Sequence, residues 1–85
     1  MDSIEAFKEK LDNEHDWPTT YMFKFVVPAA KAIEVEAVFS KEKLQVKESK
    51  AGNYMAFTMN KMIFSSDEVV EIYQEARKIE GLIAL

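Results

Sequence analysis

The sequence contains no cysteine, which excludes disulfides, thiolate metal ligands and thiol nucleophiles. Secreted domains of 85 residues usually need disulfides for stability, so we expect a cytoplasmic protein. The apolar runs are far shorter than the ~20 residues that span a bilayer, so no membrane association is expected. The amino terminus also contains charged residues, which argue against a signal peptide. They are Asp2, Glu5, Lys8, Glu9 and Lys10.

Histidine is almost as scarce as cysteine, and the formal net charge is −4. Nucleic acid is not an expected partner, because binding to phosphates needs clustered Lys and Arg. Hydrophobic residues make up 48% of the chain, which is enough for one packed core. We therefore predict a single domain over residues 1–85, with an N-terminal helix and loop at 1–16 and a core at 17–85.

Helical spacing predicts a helix near each end of the chain. The first runs from Asp2 to about Asn13, with Asp2 and Glu5 as a candidate cap and an apolar stripe of Ile4, Phe7 and Leu11. The last begins after Ser65, which forms a capping box with Glu68, and ends at Gly81. Its stripe consists of Val69, Ile72, Tyr73, Ala76 and Ile79.

Alternating apolar residues predict strands at 20–27, 43–49 and 53–64, followed by a short final strand at 82–85. The inward face of the first is Tyr21, Phe23, Phe25 and Val27, and that of the third is Met55, Phe57, Met59 and Ile63. Lys61 falls on this inward face, so we expect a bulge or a frayed edge near it. Gly52 supplies the turn of a hairpin between the second and third strands.

Residues 28–40 fit either a helix or a strand by periodicity alone. Alternation from Ile33 to Phe39 is typical of a strand, whereas Pro28 and the alanines that follow favour a helix. The length of the segment favours the helix. Its buried stripe would then contain Ala29, Ile33 and Ala37.

These elements predict an α+β fold of the ferredoxin-like βαββαβ type, with an extra N-terminal helix. Two helices would cover one face of a four-stranded antiparallel sheet and leave the other face open. That open face is partly apolar, which is typical of a contact surface, although scattered apolar residues also occur on ordinary monomers. The candidate interaction residues are Met22, Lys24, Val26, Lys47, Tyr54, Ala56 and Thr58.

No group of residues predicts catalysis, a cofactor or a metal. His15 stands beside Asp12, Glu14 and Asp16, which fits a solvated acidic loop better than the fixed ligand set of zinc. The lone His15 could serve at most one of the serines as a base, and no nucleophile elbow surrounds any of them. The carboxylate pairs on the helices fit solvated faces. A polar cluster at the hairpin, formed by Lys47, Lys50, Gly52 and Tyr54, would bind an anion or serve only as a solubilising turn.

Three stretches together resemble the YbeD-like family of small bacterial proteins, a domain of unknown function. They are Trp17-Pro18-Thr19-x-Tyr21-x-Phe23-Lys24, Val46-Lys47-x-Ser49-x-x-Gly52-Asn53-Tyr54 and Asp67-Glu68-Val69-Val70-x-Ile72-Tyr73. The resemblance implies a ferredoxin-like fold, similar to ACT-type regulatory domains, and no enzymatic activity. ACT domains usually carry a glycine after the first strand, and Val27-Pro28-Ala29-Ala30 has none.

We therefore expect a non-enzymatic regulatory or protein-interaction module that binds itself or another protein through the open face. The alternative is an ACT-like sensor of a small metabolite, with its site near residues 27–31. An RNA-binding module is less favoured, because the partner of Tyr54 two residues along is Ala56 rather than an aromatic residue.

Overall fold

The computed structural model describes residues 3–85, which form an α+β structure of three α-helices and four strands. The helices are α1 (Ser3–Glu14), α2 (Ala32–Val38) and α3 (Ser66–Arg77), and a 3-10 turn (Ala29–Lys31) precedes α2. The strands are β1 (Thr19–Pro28), β2 (Leu44–Glu48), β3 (Tyr54–Ile63) and β4 (Ile83–Ala84). The candidate cap residue Asp2 lies outside the described residues. Within residues 3–85, no helix is both long and apolar enough to cross a membrane.

The four strands form one antiparallel sheet in the order β2-β3-β1-β4. Strands β1 and β3 pair along their full length, from Thr19 opposite Ile63 to Pro28 opposite Tyr54. The predicted bulge near Lys61 is wrong, because Lys61 pairs in register with Tyr21. Its ammonium instead donates to Glu42 Oε2 at 2.8 Å, so the charge is neutralised without a break in the strand.

The core lies on the helix side of the sheet, where the predicted alternation places the large side chains. Fully buried residues of β1 and β3 include Phe23, Phe25 and Phe57. Phe39, just after α2, stacks on Phe25 with ring centroids 5.6 Å apart. Burial of aromatic side chains of this size supplies much of the hydrophobic stabilisation of so small a domain.

Residues 32–38 form a helix, as the length of the segment predicted, but the predicted buried stripe is wrong. Ile33 is 76% exposed and Ala37 is also exposed, whereas Val35 and Phe39 are buried. The 3-10 turn explains the difference, because three residues complete one turn there and bring Ala32 under Ala29. Normal α-helical spacing from Ala32 then leads to Val35 and Phe39.

Helix α1 packs against α3 through its predicted stripe. Leu11 is buried in the core, and the ring of Phe7 lies 5.9 Å from that of Tyr73. An ion pair between Lys8 and Asp67 joins the two helices at the surface. The amino-terminal helix is therefore docked on the core rather than separate from it.

Candidate functional site

The side of the sheet that faces away from the helices, called the open face below, brings the predicted interaction residues together. Directly opposite residues of antiparallel strands point to the same face. Lys47, Ala56 and Val26 form one such row across β2, β3 and β1, and Lys24 lies opposite Thr58 in the next row. Pro28 pairs with Tyr54 at one end of the face, and Met22 pairs with Asn60 towards the other.

Two further apolar residues, which were not predicted from the sequence, belong to this surface. Ile83 lies opposite Val26 on β4, and Met62 lies opposite Thr20 on β3. Met62 is an even number of residues from Tyr54, so regular alternation along the strand places both side chains on the same face. The bulge or frayed edge expected near Lys61 would have interrupted this alternation, and Met62 was therefore not predicted on the open face. The face of Ile83 depends on the pairing of β4 with β1, which local sequence does not reveal.

The open face is partly apolar, and its larger apolar side chains are exposed. Met22, Tyr54, Met62 and Ile83 are 60%, 50%, 50% and 57% exposed. Smaller half-buried side chains, Ala56 and Thr58 among them, lie between these larger ones. Exposed apolar side chains grouped on one face of a sheet suggest a contact surface.

The charges of the open face differ in sign from the net charge of the chain. Lys24 and Lys47 are both exposed on it, and no carboxylate occupies an open-face position in the four strands. Glu48 of β2 pairs with Met55 and therefore belongs to the helix side. Among residues 3–85, neither lysine has a carboxylate within ion-pair distance. Since the whole chain carries −4 and these two lysines contribute +2, the remaining residues carry a net charge of −6.

A protein-family model described as "Protein of unknown function (DUF493)" matches residues 12–85. The chain belongs to the DUF493 family. This confirms the YbeD-like resemblance, since that family is the same one. The matched segment contains the whole sheet and begins near the end of α1, so most of that helix lies outside it. No curated protein and no solved structure matches the chain.

In this DUF493 chain, His15 belongs to an aromatic cluster rather than to a set of metal ligands. Its ring stacks on Trp17 with centroids 5.3 Å apart and contacts Tyr21 at 5.5 Å. Trp17 Nε1 donates to Asp12 Oδ1 at 2.9 Å, so that carboxylate is also engaged. Within residues 3–85, no three His, Cys, Asp or Glu side chains are arranged to hold a metal. The expectation that the protein uses no metal stays a prediction.

The remaining polar candidates serve local structure. Ser65 Oγ caps α3 by accepting from the backbone N–H of Glu68 at 3.3 Å. Ser49 Oγ accepts from the N–H of Tyr54 at 3.2 Å and closes the hairpin. Gly52 adopts a φ of 75° at its turn, which a residue without a Cβ tolerates best. The hairpin residues Lys47 and Tyr54 contribute to the open face, whereas Lys50 and Gly52 lie in the loop.

Two contacts of Pro28 and Ala29 bear on the expected site near residues 27–31. The N–H of Ala29 donates to the carbonyl of Asn53 at 2.8 Å, so this amide is not available to a ligand. Gly81 lies against Pro28 so closely that a Cβ on it would sit 3.0 Å from Pro28 Cγ.

Proposed function

We propose that this chain is a non-enzymatic protein-interaction or regulatory module of the cytoplasm. Its open face binds an acidic, partly apolar segment of another protein. The observation that carries the proposal is the uncovered set of Met22, Tyr54, Met62 and Ile83 around Lys24 and Lys47.

The strand order supports a ferredoxin-like plan, which we infer for residues 17–85. The elements follow one another as β1, α2, β2, β3, α3 and β4, and β1 lies in the sheet between β3 and β4. This is the order expected for a split βαβ arrangement. Such a plan leaves one sheet face without helices, which is where the proposed contact surface lies.

Charge complementarity favours a partner other than a second copy. If two open faces met, the lysines of both copies would approach each other with no carboxylate on either face to neutralise them. Like charges brought together at an interface are unfavourable, whereas carboxylates of a partner would pair with Lys24 and Lys47. The exposed apolar side chains around the lysines would cover the apolar residues of the same segment.

The alternative of an ACT-like sensor has less support, because Ala29 N–H and the space beside Pro28 are already used. RNA binding also has less support. An RNA-recognition sheet carries two aromatic residues, two positions apart on this strand, that stack on bases. Here β3 has Tyr54 at one of these positions but Ala56 at the other.

Site-specific crosslinking tests the proposal in cells. A photoreactive phenylalanine analogue replaces Thr58 at the centre of the open face, and a matched variant carries it at the exposed Glu71 of α3. We expect crosslinks from position 58 alone, to a partner segment rich in Asp, Glu and apolar residues. Crosslinks only from position 71, only to a second copy, or to no protein would overturn the proposal.

Affinity measurements with the identified, purified partner then test the chemistry. We expect both the Met22→Glu, Tyr54→Glu pair and the Lys24→Glu, Lys47→Glu pair to weaken binding by at least about tenfold. Higher salt should weaken the wild type as well. All four side chains are exposed, so circular dichroism should show an unchanged fold. Unchanged affinity in either double variant would contradict the proposed surface.

A further inference from the structure

A groove of about 400 Å³ lies between the start of α1, one face of α3 and the end of the chain. Its apolar lining includes Phe7, Val70, Ala84 and Leu85, and its polar lining includes Gln74 and Arg77. This volume falls within the ~300–1,000 Å³ of small-molecule pockets. The groove lies on the helix side of the sheet and is separate from the open face.

The wall formed by α3 follows from helical spacing. Val70, Tyr73, Gln74 and Arg77 are three and four residues apart and share one face of the helix. The hydroxyl of Tyr73 lies 3.4 Å from that of Tyr21, which directs this polar atom to the core side. The donors left to the groove from α3 are therefore the amide of Gln74 and the guanidinium of Arg77.

Arg77 is the only arginine in the sequence, and its charge is not neutralised within the part of the chain that the structure describes. The neighbouring Lys78 behaves differently, since its ammonium pairs with Glu75 at 2.8 Å. A guanidinium presents a planar fork of N–H donors that matches a carboxylate with two parallel hydrogen bonds. An unpaired fork at the rim of an apolar groove is suited to a ligand with one anionic end.

We propose that this groove binds a small organic carboxylate with an apolar tail. The carboxylate pairs with Arg77 and accepts from the side-chain amide of Gln74, and the tail lies over Phe7, Val70 and Leu85. A singly charged group fits better than a phosphate dianion. One guanidinium neutralises it, and the chain as a whole is acidic. This site is independent of the proposed protein interaction.

An amide NMR titration of the full chain with phenylbutyrate tests the proposal, with hexanoate as a second probe and phenylbutyramide as the neutral control. We expect saturable shifts confined to the amides around Phe7, Val70, Gln74, Arg77 and Leu85. The neutral amide should bind at least about tenfold more weakly, because it loses the charge-assisted hydrogen bonds.

Variants separate the guanidinium from general effects of charge. Arg77→Gln should weaken phenylbutyrate binding at least about tenfold, Arg77→Lys should weaken it less, and Lys78→Gln should leave it unchanged. The spectra themselves report whether each variant is folded. Absence of saturable binding for both acids, shifts elsewhere in the chain, or equal binding to Arg77→Gln would overturn the proposal.

The Met22→Glu, Tyr54→Glu variant distinguishes the two proposals. It should bind phenylbutyrate as the wild type does, because neither residue lines the groove. Failure of the titration would leave the open-face proposal untouched.

Discussion

The ammonium of Lys61 donates a 2.8 Å hydrogen bond to the carboxylate of Glu42 and ties strand β3 to the loop before β2. Both side chains are about two-thirds removed from solvent, at 31% and 27% exposure. The pair is therefore less screened than an ordinary surface ion pair. We expect a double-mutant cycle of Lys61→Met and Glu42→Gln, measured by urea unfolding, to give a coupling energy of about 0.5–1 kcal/mol.

The ion pair between Lys78 and Glu75 is the matched control for this cycle. Its side chains are 72% and 54% exposed, so its coupling should not exceed about 0.5 kcal/mol. If the coupling energy of Lys61 with Glu42 is no larger than that of Lys78 with Glu75, partial burial does not strengthen the ion pair.

The buried stripe of α2, which contains Val35 and leads to Phe39, gives rise to a second prediction. Val35 is fully buried, so Val35→Ala removes two packed methyl groups and should lower the free energy of unfolding by about 2 kcal/mol. That corresponds to a fall in melting temperature of roughly 8–16 °C. Ile33→Ala, at a position 76% exposed, should change the free energy by less than about 0.5 kcal/mol. The reverse ranking would mean that Ile33 faces the core.

The contrast between these two residues shows where sequence reasoning about the fold succeeds. In strands β1 and β3 a period of two fixes the buried face, and Phe23, Phe25 and Phe57 are buried as predicted. In α2 the face depends on a single 3-10 turn before the helix. Nothing in the local sequence distinguishes a 3-10 turn, with three residues, from an α-helical turn, with 3.6 residues. The predicted buried stripe therefore lies on the wrong face of α2.

The same limit applies to the two candidate sites. The alternation of side chains along β1 and β3 was enough to predict that Met22 and Tyr54 lie together on the open face. Ile83 was missed because its position depends on a pairing between distant parts of the chain. The groove at Arg77 was missed for the same reason, since α1, α3 and the end of the chain meet there only after folding.

The cap of α3 makes a third prediction. Ser65 Oγ accepts from the N–H of Glu68, and Glu68 Oε1 accepts in return from the N–H of Phe64 at 2.7 Å. Ser65→Ala should therefore lower the free energy of unfolding by about 1 kcal/mol, whereas Ser65→Gly should lower it by only a few tenths. Urea unfolding of the two variants checks this. Equal losses would show that the hydroxyl does not stabilise the helix.

Tyr73 makes a fourth prediction, on alkaline stability. Burial raises the pKa of Tyr73 well above its ordinary value of 10.0, and the hydrogen bond with Tyr21 raises it further. Above about pH 10 the unfolded chain loses this phenolic proton while the folded chain keeps it. The folded state then binds more protons than the unfolded state, so stability must fall as the pH rises.

Comparison of the wild type with Tyr73→Phe isolates this effect, because the titration of the lysines occurs in both proteins and cancels in the difference. Between about pH 8 and the pKa of the free phenol the difference in unfolding free energy should be constant. At higher pH the wild type should lose up to about 1.4 kcal/mol per pH unit more than the variant, since one proton is involved. Urea unfolding at each pH gives the slopes, and the absorbance of tyrosinate follows ionisation directly. Parallel slopes in the two proteins would show that the hydroxyl of Tyr73 ionises as readily in the folded chain as in the unfolded one.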